Sequence, residues 1–140
     1  MSNIDTHNSS NDLNNFDAII IGAGFAGMYM LHKLRGQGLR VRVYERGDDV
    51  GGTWYWNRYP GARCDLESMD YSYSFDEDLQ QDWDWREKYG TQPELLKYAR
   101  HVADRFKLRS DIIFETKITS ARYNIEAQTW DIITDQADTV

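Results

Sequence analysis

The chain has 140 residues, one domain's worth, and its hydrophobic (41%) and charged (28%) fractions are those of an ordinary soluble globular protein with a real core. A formal net charge of −7 leaves no basic face for phosphate neutralisation, which argues against nucleic acid as a partner. No apolar run is long enough to span a bilayer, no basic start followed by an apolar core marks a secretory signal, and one cysteine makes no internal disulfide, so a reducing cytoplasm is the expected compartment.

Residues 1–15 contain five Asn, three Ser and two Asp with scattered apolar positions, and a disordered tail is expected there. Residues 16–21 then form a short run rich in branched residues, the pattern of a strand buried on both faces of a parallel sheet. It runs directly into Gly22-Ala23-Gly24-Phe25-Ala26-Gly27. Beyond that turn Ala26, Met28, Leu31 and Leu34 recur at helical spacing, and Gly36 and Gly38 stand where a helix should stop. Residues 39–45 alternate through Val41, Val43 and Tyr44 as a second strand and end on Glu45.

Each glycine of this strand–turn–helix–strand unit has a reason. Gly22 permits the tight exit from the strand, Gly24 lets backbone approach a pyrophosphate, and Gly27 lets the helix pack close to the sheet. The helix N-terminus presents free N–H groups and a positive dipole end to phosphates. Glu45, 18 residues after Gly27, stands where a carboxylate accepts hydrogen bonds from ribose hydroxyls, and because it repels a 2′-phosphate the site suits FAD or NAD better than NADP. A Rossmann-like α/β domain binding a dinucleotide is the expectation.

After a polar turn containing Gly51 and Gly52 comes Thr53-Trp54-Tyr55-Trp56-Asn57-Arg58-Tyr59-Pro60-Gly61-Ala62-Arg63-Cys64-Asp65. Consecutive aromatic residues before a proline–glycine turn and a basic–thiol–acid triplet fit neither an exposed loop nor a periodic element. An aromatic mini-core under a long loop would explain them; so would a ligand, because ligands bind at the loops that follow the strands of such sheets. Cys64, with no nearby His, reads as a small buried apolar group, and Asp65 reads as the cap of a helix starting at Leu66.

Residues 75–89 read as an acidic helical segment with Trp83 and Trp85 turned inward. Thr91-Gln92-Pro93-Glu94 has the form of a capping box with Pro in the first turn, opening a packing helix whose apolar face is Leu95, Tyr98, Ala99, Val102 and Phe106. Residues 112–116, 118–123 and 129–134 alternate like strands, the last two as a hairpin. His7, His32 and His101 have no second ligand at metal spacing, and no metal site is expected.

Gly22 to Gly27, Glu45, Gly51-Gly52-Thr53-Trp54 and above all the stretch 54–65 resemble the N-terminal FAD-binding segment of Baeyer-Villiger monooxygenases, in the phenylacetone, cyclohexanone and steroid monooxygenase branch. The resemblance continues through Ser68-Met69-Asp70-Tyr71-Ser72-Tyr73-Ser74-Phe75, the Trp83 and Trp85 region and Gln92-Pro93-Glu94, covering nearly all of residues 16–140. It implies an NADPH-dependent flavoenzyme in which reduced flavin captures molecular oxygen as a C4a-peroxide that attacks a small ketone to give an ester or lactone. By resemblance Gly22, Gly24, Ala26 and Gly27 would hold the FAD pyrophosphate and Glu45 the adenosine ribose. Gly52, Thr53, Trp54, Tyr55 and Trp56 would run beside the rest of the cofactor, with Asp65 and Tyr71 near the flavin and Ile118 by the adenine end. Arg63, Cys64 and Asp65 would border the nicotinamide nucleotide. Asp65 would be the residue of the chemistry, orienting an arginine from a later segment that stabilises the anionic peroxyflavin.

The family continues with further strands, a second glycine motif for NADPH and that arginine, none of which this sequence contains. Residues 16–140 are therefore expected to be a partial FAD-binding domain, an incomplete doubly wound sheet with a helical insertion and a small hairpin, inactive alone, with the NADPH site mostly outside it. A related N-hydroxylating or sulfoxidising flavoprotein and a non-catalytic nucleotide-binding fragment stay open. A disulfide reductase would need a redox Cys pair, and only Cys64 exists.

Overall fold

The computed structural model describes residues 15–136, so the tail expected at residues 1–15 lies almost wholly outside the described residues. Strand β1 (Ala18–Ile21), helix α1 (Phe25–Gly36) and strand β2 (Val41–Tyr44) form a βαβ unit, with β1 and β2 parallel in the register Ala18↔Val41 to Ile21↔Tyr44. The chain then makes an insertion of α2 (Thr53–Trp56), α3 (Ser68–Tyr71), α4 (Glu77–Gln81) and α5 (Gln92–Arg105). It returns through a 3-10 turn at Arg109–Asp111 to β3 (Ile112–Ile113), which pairs parallel with β2. The sheet order is β1-β2-β3, and β4 (Ile118–Asn124) with β5 (Thr129–Thr134) forms a separate antiparallel hairpin. This is the expected Rossmann-like α/β arrangement.

Strand alternation places Ala18, Ile20, Val41 and Val43 on one face. They pack with Met28 and Leu31 of α1 and with Ala99 and Ala103 of α5. Helix α1 ends in a Schellman motif: Gly38, at φ +82°, donates its N–H to the Arg35 carbonyl, and Leu39 donates to Leu34. The insertion builds two further clusters, one of Trp54, Cys64, Leu95 and Leu96, the other of Leu79, Tyr98 and Val102. Phe25, the first residue of α1, touches all three clusters and has ring contacts with Tyr71, Tyr73 and Tyr98 at centroid distances of 5.2 to 6.0 Å.

Several local expectations are corrected. β1 is not buried on both faces: its first three residues are half-buried and Ile21, at its end, is 65% exposed, and among the described residues only β2 pairs with it. The strand expected at residues 112–116 stops after two residues, because Glu115 adopts a left-handed φ of +53° and turns the chain over the end of β2. There Glu115 donates its N–H to Gly47 and Thr116 donates to the Glu45 carbonyl. Of residues 75–89 only Glu77–Gln81 is helical; Trp83 and Trp85 still turn inward, but from a non-helical segment, against Tyr98. The capping box does not close, since Thr91 makes no side-chain cap and Glu94 accepts instead from the Arg86 N–H, which ties the indole-bearing segment to α5. Asp65 caps nothing, as α3 begins at Ser68 with Glu67 at its N-cap.

Candidate functional site

At the C-terminal end of β1, Gly22 takes φ +94° and donates its N–H to the Tyr44 carbonyl at 2.8 Å, which turns the chain out of the sheet. A Cβ on Gly27 would stand 2.0 Å from the Gly22 carbonyl oxygen, so α1 sits directly on that turn. Gly24 is the N-cap and offers no side chain, and the first turn carries no acid, so the opening N–H groups of α1 have no acceptor within the helix.

The second glycine turn folds back onto the first. Gly51 donates its N–H to the Ala23 carbonyl at 3.0 Å, and a Cβ on Gly52 would meet the Gly24 Cα at 2.9 Å. The result is an open cleft lined by Gly22, Gly24, Ala26, Gly27, Gly52 and Thr53, walled by Trp54 and Tyr71. Trp54 is buried, donates its indole N–H to the Tyr71 hydroxyl at 3.0 Å, and meets its ring edge to face; Gln92 of α5 donates its side-chain amide to the Trp54 carbonyl. The cleft wall is therefore fixed from α3 and α5.

Glu45 is 4% exposed, and its two carboxylate oxygens accept from the backbone N–H groups of Ala23 at 2.7 Å and Gly47 at 2.8 Å. Its first task is thus to tie the first glycine turn to the start of the loop after β2. Each carboxylate oxygen keeps a second lone pair, but Glu45 itself does not line the glycine cleft.

The remaining residues singled out in the sequence divide. Tyr55 is half-buried and donates its hydroxyl to Asp48 at 2.6 Å, the bond that raises its own pKa above the ordinary tyrosine value. Trp56 is exposed, with the Arg46 guanidinium 4.5 Å from its ring centroid. Arg63, Cys64 and Asp65 do not line the glycine cleft. Arg63 pairs with Glu87 and the Tyr89 carbonyl, Cys64 packs under Trp54 with its N–H on Gly90, and Asp65 is exposed with no partner among the described residues. Ile118 begins β4 just after the Thr116 bond to Glu45 and does not line the cleft. The part that Phe25 and Gln92 play in positioning the cleft was not read from the sequence, where Phe25 stood only inside the glycine motif and Gln92 only in the helix start and the family resemblance.

No group of three His, Cys, Asp or Glu among the described residues is placed to hold a metal, and no described helix is long and apolar enough to cross a membrane.

Residues 20–84 match the NAD(P)-binding Rossmann-like domain. A Baeyer-Villiger monooxygenase of Pseudooceanicola batsensis is 51% identical over 139 residues, covering 99% of this chain and 26% of that protein. A phenazine N-monooxygenase of Lysobacter antibioticus is 53% identical over 125 residues, covering 89% of this chain and 23% of its own length. Among solved structures, an oxidized steroid monooxygenase bound to NADP superposes with a TM-score of 0.88 at 58% identity, over 89% of this chain and 24% of that one. By sequence and by fold the chain is similar to Baeyer-Villiger-type monooxygenases, and it spans about a quarter of the length of the relatives it matches.

Proposed function

We propose that residues 16–140 form the FAD-binding part of an NADPH-dependent flavin monooxygenase that inserts an oxygen atom from molecular oxygen into small ketones. The observation that carries this is the pair of glycine turns packed backbone to backbone at the N-terminus of α1, with a buried acid bonded to the first of them. Gly24 and Gly52 leave no side chain between ligand and backbone, so the N–H groups opening α1 are free to hold the pyrophosphate. Glu45 would orient the adenosine ribose through its spare lone pairs. Trp54 and Tyr71 wall the cleft and exclude water from one side of the bound cofactor.

FAD, when bound, would supply the oxygen chemistry with NADPH as reductant. Asp65, exposed and unpartnered among the described residues, is available to orient a cation brought from elsewhere, while Arg63 and Cys64 would shape the nicotinamide side. Ile118, next to the segment bonded to Glu45, would border the adenine end. The single cysteine, buried and unpaired, suits a reducing cytoplasm.

A second reading, oxygenation of an aromatic nitrogen, is favoured by the 53% identity to the phenazine N-monooxygenase. Both readings share the cofactor and differ in the acceptor. A flavin fluorescence titration of the purified chain tests the common part: quenching that saturates, and weakens in Glu45→Ala, supports it, whereas no uptake of flavin counts against it. Incubating a flavin-loaded longer protein that contains this chain with NADPH, oxygen and either a cyclic ketone or a phenazine, then reading products by mass, separates lactone from N-oxide.

A further inference from the structure

Two consecutive glycines have little conformational preference of their own, so the geometry of the Gly51-Gly52 turn must be imposed by its neighbours. On its C-terminal side the buried Trp54 anchors α2. On its N-terminal side stands Asp49, whose side chain is 16% exposed. One carboxylate oxygen accepts from its neighbour's N–H, that of Val50, at 2.8 Å and from Arg109 Nη1 at 2.9 Å; the other accepts from Arg100 Nε at 2.6 Å. Arg109 is held in turn by Asp104 at 2.6 Å. Both cations come from the C-terminal part of the insertion, Arg100 from α5 and Arg109 from the turn that follows it. Val50, the next residue, is fully buried against the main core, and Gly51 then reaches the Ala23 carbonyl.

We propose that Asp49 is a positioning residue of the dinucleotide site: clamped between Arg100 and Arg109, it holds the 46–52 loop so that the Gly51-Gly52 turn rests on the Gly22–Gly27 turn. This rests on the dinucleotide reading of the cleft, yet Asp49 itself does not line that cleft. The insertion thereby sets the shape of the cradle from outside it, through charge-assisted hydrogen bonds, which are stronger than neutral ones. Partial exposure of the arginines moderates the clamp without removing it.

The test compares the wild-type chain with Asp49→Asn and with the Arg100→Gln/Arg109→Gln double variant, which leaves Asp49 in place. Amide hydrogen exchange is read at Gly51, with Ala99 and Val102 of α5 as internal references, and FAD affinity is read by flavin fluorescence. Gly51 exchange should rise at least tenfold in both variants while Ala99 and Val102 keep their protection, and FAD affinity should fall about tenfold. Unchanged Gly51 exchange in both variants overturns the assignment, as does a uniform loss that includes Ala99 and Val102. Faster Gly51 exchange with undiminished flavin affinity overturns it too, because the turn would then not need holding. A wild-type chain that takes up no flavin sinks the FAD reading alone, and exchange at Gly51, measured without ligand, still decides whether Asp49 holds the turn.

Discussion

Gly52 lies with its backbone against Gly24, so close that a Cβ on Gly52 would stand 2.9 Å from the Gly24 Cα, while its φ of +55° falls in the left-handed region. Residues 28 positions apart thus make one surface, half from the βαβ unit and half from the loop after β2. Gly52→Ala meets backbone on its open side and strain in its own dihedral. We expect it to cost about 1–3 kcal/mol of stability and to weaken FAD binding more than tenfold, measured by urea titration and flavin fluorescence. Flavin affinity equal to wild type would show that the two turns need not touch.

Gly27→Ala tests the contact between α1 and the turn. The Gly22 carbonyl oxygen would lie 2.0 Å from the new methyl and belongs to the backbone, so α1 must move away from β1. A loss of about 3 kcal/mol or more is expected, since overpacking against fixed backbone exceeds the usual cost of an extra methylene. Thermal unfolding followed by circular dichroism reads it, and an unshifted midpoint would contradict the packing described.

Glu45→Gln keeps the shape and removes the charge. One of the two acceptor oxygens becomes an NH2 facing a backbone N–H, of Ala23 or of Gly47, and a buried donor is left unsatisfied. About 1–3 kcal/mol should be lost even without ligand. A residue that served only a ribose would show no such loss in the ligand-free chain, so the ligand-free urea midpoint separates the two roles.

His32 packs between Phe75 and Phe106, at centroid distances of 4.8 and 4.7 Å. Burial, then the nearby charges of Arg35 and Lys33, hold its pKa below the ordinary 6.5. The unfolded chain therefore binds the proton more readily, so this contribution to stability is complete above pH 6.5 and is lost as pH falls from there through the folded value. His32→Leu should flatten the decline in the urea midpoint between pH 6.5 and the lower value, leaving the carboxylate-driven loss at more acid pH. An identical slope in both proteins would remove His32 from that limb.

How much of this was legible in the sequence follows from the range of the interactions. The βαβ unit was, because period-2 alternation through Val41 and Val43, helical spacing through Met28 and Leu31, and the Gly38 stop are local signals. The hairpin was, for the same reason. The capping box at Thr91 misled because Glu94 found the Arg86 N–H, a tertiary partner that four residues of sequence do not contain. The long acidic helix misled because Trp83 and Trp85 are held by Tyr98 across the insertion, and that packing outweighs local helical pattern.

The candidate site divides along the same line. Gly22, Gly24, Gly27 and Glu45 could be picked out from residue type and spacing, since a backbone approach to phosphate demands glycine and a strand end demands the acid. That Glu45 spends both oxygens on Ala23 and Gly47, that Gly52 closes on Gly24, and that Asp49 reaches Arg100 and Arg109 were decided only by the tertiary structure. By itself the sequence determined which backbone positions must be bare and where the strand-end acid stands, because these are steric and local properties. Which groups meet across 50 or 60 residues was settled only when the insertion packed onto the sheet, because burial and charge pairing depend on distances that chain order does not carry.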